Sequence, residues 1–161
     1  ALKNSNAQVP PRRITVNLAP ADLPKEGPAY DLPIAVGVLA ASGQISFDTN
    51  RAMFFGELSL DGSLRHTAGA LPLALLARGH GFKQLYLPAA NAKEAAVVSG
   101  VDIMPLTNIG QFMEHLMTGN RIVPAERLDF AQLLAEPGAQ PFYDRPQRLG
   151  VRRVPRPQFT A

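Results

Sequence analysis

The sequence has no cysteine and no tryptophan, and it is poor in charged residues, aromatic residues and long apolar runs. The missing cysteines exclude disulfide bonds, thiolate metal sites and a cysteine nucleophile. The longest apolar run, between residues 32 and 41, contains Pro33 and falls well short of the ~18 residues that cross a bilayer. Hydrophobic residues still make up 46% of the 161 residues, which excludes wholesale disorder. We therefore expect a cytoplasmic chain with no membrane partner and room for one domain and a tail.

Motifs for nucleotide and metal chemistry are absent as well. A phosphate-binding loop needs the pattern G-x-x-x-x-G-K-[ST], and the chain contains no Gly-Lys dipeptide. Its three histidines, His66, His80 and His115, are isolated, and none belongs to an H-E-x-x-H motif. We therefore expect that this chain by itself holds no cofactor and no metal.

Short strand-like and helix-like runs alternate between residues 14 and 118. Apolar alternation predicts a strand over residues 14–18, and further strand regions are predicted over residues 52–60, 63–67, 83–87 and 101–106. Helical spacing predicts helices over residues 32–42, 71–78, 91–98 and 108–117, with N-caps at Asp31, Asn91 and Asn108. Asp61-Gly62 predicts a tight hairpin turn. Together these elements predict an α+β (mixed α/β) domain whose mixed sheet contains an antiparallel hairpin.

The two ends of the chain differ from this region. Residues 1–13 carry neither an initiator methionine nor a signal peptide, so we interpret them as the remnant of an element of a longer protein. Residues 119–161 become rich in proline and arginine, and from residue 138 on five arginines accompany a single acid, Asp144. The predicted organisation is therefore a remnant over 1–13, a folded domain over 14–118 and a linker or tail over 119–161.

Charged side chains also cluster in the loop before the first predicted helix. Loops that precede a helix N-terminus often bind anions or carry catalytic groups. The candidate interaction residues of this loop are Asp22, Lys25, Glu26 and Asp31. A structural role fits the same residues, with Asp31 capping the helix and the others facing water. The residues alone leave both interpretations open.

Four motifs occur in the order that one protein family shows. They are VNL at residues 16–18, APADLPKEGPAYDLPIA at 19–35, FGELSLDGSLR at 55–65 and LPAANA at 87–92. Over about residues 12–118 the chain resembles the N-terminal domain of the magnesium-chelatase-like AAA+ proteins of the ComM/YifB competence type. The resemblance implies the ribosomal protein S5 domain 2-like fold, as in the proteolytic domain of Lon.

The same resemblance implies that the chemistry of that fold has been lost. In Lon, a serine nucleophile follows a P-K-D-G-P segment, and a lysine that follows a later G-G-L segment acts as its base. Here PKEGP at residues 24–28 is followed by Ala29, and the lysine position falls on Leu71. We therefore expect no catalytic residue and no enzymatic activity in this chain. A degenerate Lon-like hydrolase stays open as an alternative, with a nucleophile among Ser42, Ser46, Ser59 and Ser63.

The resemblance also implies partners. Members of this family carry an AAA+ ATPase module that binds ATP and Mg²⁺, form ring-shaped homo-oligomers and act on DNA during natural transformation. We therefore expect an accessory domain that contributes to assembly or to DNA engagement. The basic residues that could contact DNA, if the fold brings them together, are Arg12, Arg13, Arg51 and Arg65. A subunit of a magnesium chelatase and a direct nucleic-acid-binding module are the further alternatives.

Overall fold

The computed structural model describes residue 11, residues 13–18 and residues 27–129. Its helices within these ranges are α1 (Asp31–Ala41), α2 (Ala70–Gly79), α3 (Ala92–Ala95) and α4 (Ile109–Met117). Its strands are β1 (Ala52–Phe54), β2 (Glu57–Leu58), β3 (Leu64–Arg65), β4 (Gln84–Pro88) and β5 (Asp102–Leu106). Two short 3-10 turns, Pro28–Tyr30 and Ala89–Asn91, precede α1 and α3. None of the helices in the described ranges is long and apolar enough to cross a membrane.

The strands form two separate sheets. β1, β4 and β5 make a parallel sheet in the order β1-β4-β5, and β2 pairs antiparallel with β3. The expected α+β class is thereby confirmed, but the expectation of one mixed sheet is wrong. The predicted strand over residues 52–60 divides at Gly56, whose φ of 149° turns the chain away after Phe55 has made the last bond to β4. The hairpin therefore forms beyond the carboxyl end of β1 rather than inside the main sheet.

Two apolar clusters cover the two faces of the parallel sheet. Side chains alternate between the faces of a strand, so neighbouring residues of β4 enter different clusters. Tyr86 packs with residues of α1 and α4, whereas Leu85 and Leu87 pack with residues of α2 and α3. In the first cluster, Phe54 stacks on Tyr86 at 5.0 Å between ring centroids, and Phe112 meets both rings edge-on. The main sheet is thus enclosed between two helical layers.

Three local predictions need correction. Residues 14–18 belong to no strand of the described part. Asp31 is the first residue of α1 rather than its N-cap, and the true N-cap, Tyr30, makes no side-chain capping bond. Asn91 likewise makes no capping bond to α3, because its amide is engaged elsewhere. Only Asn108 caps as predicted, accepting a hydrogen bond from the Gln111 N–H at 2.9 Å.

Residues 119–129, the start of the predicted linker, lie against the domain, and we call them the strap. The side chain of Ile122 is buried in the first cluster, and its N–H donates to Nδ1 of His115 at 3.0 Å. The Ala125 N–H donates to the carbonyl of Ile103 in β5 at 2.8 Å, and Leu128 N–H to Ala96 at 3.3 Å. The strap therefore runs along the outer edge of the parallel sheet.

Candidate functional site at the carboxyl ends of the strands

The two positions of the degenerate dyad lie at the starts of two helices, beyond the ends of two strands of the parallel sheet. Ala29 sits in the 3-10 turn before α1, and Leu71 is the second residue of α2. Both side chains are half-buried and pack against the same apolar cluster. The Ala29 carbonyl accepts a hydrogen bond from Gly56, just after β1, and the Leu71 N–H donates to Glu94, which follows β4. Neither position offers a hydroxyl or an amine, so the pair cannot act as nucleophile and base.

Gly56 holds the Ala29 turn against the end of β1. Its N–H donates to the Ala29 carbonyl at 3.0 Å, and its carbonyl accepts from the Leu32 N–H at 3.0 Å. A Cβ at this position would stand 3.0 Å from the ring of Pro88, and the φ of 149° is one that L-residues rarely adopt. Close approach and backbone conformation both require glycine here.

The charged loop named above is only partly within the described residues. Asp31 is half-buried, and its carboxylate accepts a hydrogen bond from the Leu58 N–H of β2 at 3.3 Å. This bond ties the start of α1 to the hairpin, so Asp31 positions the turn instead of facing a ligand. Asp22, Lys25 and Glu26 lie outside the described residues.

A buried amide, which sequence analysis took for a helix cap, joins the hairpin to the main sheet. Asn91 is 0% exposed, and its Oδ1 accepts from the Thr67 N–H at 3.0 Å. Its Nδ2 donates to the Thr67 carbonyl at 2.9 Å and reaches Oε2 of Glu94 at 3.5 Å. The side-chain amide therefore pairs with both backbone groups of Thr67, as a neighbouring strand would.

The acid and the hydroxyl beside this amide are engaged in the same way. Oε1 of Glu94 accepts the Leu71 N–H at 3.2 Å, which places a carboxylate at the positive end of α2. The Thr67 hydroxyl accepts from the Glu57 N–H at 3.1 Å and donates to the Arg65 carbonyl at 3.0 Å. These polar groups satisfy backbone atoms, which is a structural use of them.

The candidate basic residues are spread over the molecule. Arg51 precedes β1 at the amino ends of the parallel strands, whereas Arg65 pairs with Glu57 beyond the carboxyl ends. Arg13 lines a groove beside α1, and Arg12 lies outside the described residues. The fold instead brings Arg51 next to Lys83, whose N–H donates to the Arg51 carbonyl at 2.9 Å.

Arg51 and Lys83 line a polar pocket of about 370 Å³ at the amino ends of the strands. Asp48 and Asp102 line it as well, so the two cations share the pocket with two carboxylates. Tyr86 also reaches it, and burial of that side chain raises the pKa of its hydroxyl. A pocket of balanced charge has no strong preference for phosphate.

The four candidate serines have mainly local contacts. The Ser42 hydroxyl donates to the Leu39 carbonyl at 3.1 Å, and Ser46 is exposed. The Ser63 hydroxyl donates to the Asp61 carboxylate at 2.7 Å, a bond that lowers the pKa of Asp61. The Ser59 hydroxyl oxygen is buried and makes no hydrogen bond within the described part of the chain. None of these contacts pairs a serine with an amine or an imidazole.

Comparison with known proteins gives a consistent set of relatives. A family model described as "Subunit ChlI of Mg-chelatase" matches residues 1–91. Competence protein ComM of Haemophilus influenzae is 41% identical over 138 residues, which cover 81% of this chain and 27% of that protein. The uncharacterized protein YifB of Salmonella typhimurium is 46% identical over 100 residues, or 62% of this chain and 20% of that protein. Lon protease 2 of Bacillus subtilis is 29% identical over 97 residues, or 60% of this chain and 17% of that protein.

Proposed function

The chain belongs to the family of the ChlI subunit of Mg-chelatase, and we propose that it is a non-catalytic accessory domain of a ComM-type AAA+ ATPase that acts on DNA. It spans about a quarter of the length of Haemophilus ComM. The ATPase activity therefore belongs to a module with its own phosphate-binding loop, where ATP and Mg²⁺ would bind. The proposed setting is a ring of identical subunits in the cytoplasm, working in natural transformation or recombination.

The observation that carries this proposal is the pair of apolar side chains at the dyad positions. Ala29 and Leu71 pack against one apolar cluster at the ends of β1 and β4. The likeness to Lon protease 2 supports an S5 domain 2-like fold in which this place would carry the reacting groups. A methyl and an isobutyl group there pack against that cluster and supply no proton transfer.

A chimera tests the proposed function. This chain would replace the aligned stretch of Haemophilus influenzae ComM, and transformation frequency would be compared with that of the parent and of a deletion. We expect the chimera to restore transformation and Ala29→Gly to leave it unchanged, since that methyl has no chemical role. A chimera as defective as the deletion, although folded and expressed, would contradict the proposal. So would peptide hydrolysis by the purified chain that disappears on a Ser→Ala substitution.

DNA binding by the isolated chain separates the two accessory roles. The charge distribution of the described residues favours assembly, because Arg13, Arg51 and Arg65 lie apart. We expect little electrophoretic shift of DNA at about 0.15 M salt, where non-specific phosphate contacts are weak. A clear shift at that salt concentration would assign the domain to DNA engagement instead.

A magnesium chelatase subunit is the second candidate, because the description of the matching family names that enzyme. The match to ComM covers 81% of this chain, whereas the family model covers residues 1–91, and this favours the first candidate. The two differ in an assay of magnesium insertion into a porphyrin by the full-length protein with the other chelatase subunits. We expect no insertion above background, and insertion dependent on this protein would favour the chelatase.

A further inference from the structure

The strap is tied to α4 by a hydrogen bond whose donor is a backbone amide. The helix ends at Met117, and Gly119 takes the left-handed conformation, with a φ of 74°, that commonly follows a helix. The Ile122 N–H then donates to Nδ1 of His115 at 3.0 Å, and the Ile122 side chain is buried. A backbone N–H can only donate, so Nδ1 must present a lone pair. The bonded ring is therefore neutral and carries its single proton on Nε2.

The other contacts of the ring agree with this position of the proton. Nε2 of His115 lies 3.5 Å from the Tyr86 hydroxyl, and that hydroxyl lies 3.4 Å from Oε1 of Gln84. Burial raises the pKa of the Tyr86 hydroxyl, so this group keeps its proton and can donate to Gln84. With the proton of the ring on Nε2, each donor faces an acceptor. Both contacts are long and therefore weak, so the bond at Nδ1 is the main hydrogen bond of the ring.

Protonation of the ring is incompatible with this bond to the strap. A proton taken from solvent binds the lone pair of Nδ1, and the resulting imidazolium has an N–H group at each nitrogen and no acceptor. The new N–H of His115 would then point at the N–H of Ile122, whose nitrogen lies only 3.0 Å away. The ring can therefore become charged only after the Ile122 amide has moved away from it.

The charged groups around the ring come from several parts of the fold. Glu114 precedes His115 on α4, and Arg121 precedes Ile122 in the strap. The others line the polar pocket at the amino ends of the strands together with His115, and they are Asp48, Arg51, Lys83 and Asp102. Carboxylates, ammonium groups and guanidinium groups ordinarily keep their charge near neutral pH, whereas a free imidazole has a pKa of about 6.5. A change in the attachment of the strap near that pH is therefore expected from the imidazole.

We propose that His115 is a proton-sensitive latch, which holds the strap at Ile122 while the ring is neutral and releases it when Nδ1 takes up a proton. The released state binds one proton more than the attached state, so attachment strengthens as pH rises and weakens as pH falls through the titration of the free imidazole. This device goes beyond the accessory role proposed above and does not depend on it, because attachment of the strap can be measured without ATP or DNA.

Amide hydrogen exchange of the 161-residue chain at about pH 7.5 and about pH 5.5 tests the latch. Each rate is divided by the rate of an unstructured chain at the same pH, which gives the protection of that amide. Protection of Ile122 should fall about tenfold at the lower pH, the factor by which charging of a free imidazole with a pKa of about 6.5 favours release. Leu85 in β4 is 0% exposed and serves as the internal reference. Equal protection of Ile122 at both pH values, or an equal fall at Leu85, would overturn the proposal.

Replacement of the imidazole separates titration from shape. His115→Asn places an amide oxygen near the position of Nδ1, and this acceptor cannot be protonated in the same pH range. We expect the protection of Ile122 to become independent of pH in this variant. The matched control is His80→Asn, because His80 is exposed after α2, and this variant should keep the tenfold fall. A fall in His115→Asn as large as in the wild type would overturn the latch.

Nitrogen NMR of the wild-type ring adds a test that needs no variant. Nitrogen chemical shifts distinguish the two neutral forms of the ring, so they report which nitrogen carries the proton. We expect the proton of His115 on Nε2 at about pH 7.5, the form that the bond from Ile122 requires. A proton on Nδ1 at that pH would overturn the proposal, whatever the variants show.

Discussion

Replacing Asn91 should destabilise the domain strongly, because this side chain satisfies two backbone groups at once. Asn91→Ala leaves the N–H and the carbonyl of Thr67 without partners, and Thr67 is itself buried. An unsatisfied buried group costs about 1–3 kcal/mol, so the pair costs about 2–6 kcal/mol. With a urea m-value of about 2 kcal/mol/M, the unfolding midpoint should fall by about 1–3 M.

Asn91→Asp tests how the stability of the fold changes with pH. The introduced carboxylate still accepts from Thr67 N–H, but its second oxygen faces the Thr67 carbonyl and Glu94. Burial and the nearby acid raise the pKa of the introduced carboxyl in the folded state above its unfolded value of about 3.9. The folded state then binds a proton more tightly than the unfolded state. Relative to the wild type at each pH, the variant should therefore lose stability as pH rises through the folded-state pKa and regain it as pH falls.

Urea unfolding at a series of pH values from 5 to 8 measures both effects. The matched control is Asn120→Ala, because Asn120 is exposed in the strap. Its free energy of unfolding should change by less than about 0.5 kcal/mol. If Asn91→Ala unfolds with the same midpoint as Asn120→Ala, the pairing with Thr67 does not stabilise the fold. A pH-independent deficit for Asn91→Asp would refute the assignment of its environment.

Substitutions at three further positions test other parts of the structure by the same unfolding assay. Gly56→Ala should cost about 1–3 kcal/mol, because a Cβ meets the Pro88 ring and the backbone conformation is strained; an unchanged midpoint would contradict the close approach. Gly62→Val should cost about as much, since φ is 90° in the hairpin turn; wild-type stability would show that the turn is wrongly assigned. His115→Ala should cost about 1–3 kcal/mol by leaving the Ile122 N–H without an acceptor. His115→Asn should recover part of that loss, and equal losses for the two variants would refute a role for Nδ1.

Local patterns predicted the elements whose determinants lie close together in sequence. The cap at Asn108 and the turn at Asp61-Gly62 depend on neighbours within three residues, and both occur in the structure. The role of Asp31 was wrong because its partner, Leu58, lies 27 positions away. A helix cap and a long-range tether use the same residue type, so the identity of the residue could not distinguish them.

The division into two sheets could not be predicted from the sequence for a related reason. Residues 52–60 were predicted as a single strand region from the sequence alone. The break depends on Gly56 meeting Pro88 of β4, a contact between residues far apart in sequence. For the candidate site, the motifs supplied Ala29 and Leu71, whereas the polar network of Thr67, Asn91 and Glu94 required the packed structure. Hydrogen bonds between residues far apart in the chain produce no periodic pattern in the sequence.

The attachment of the strap gives the domain a mechanical property. Force applied beyond residue 129 would not first extend a free segment of chain, because the hydrogen bonds of Ile122, Ala125 and Leu128 lie between that point and α4. The load would instead pass first to Ala96 through Leu128, then to Ile103 of β5 through Ala125, and from β5 across the ladder to β4. A partner that pulls on this end would therefore move the parallel sheet as one rigid unit.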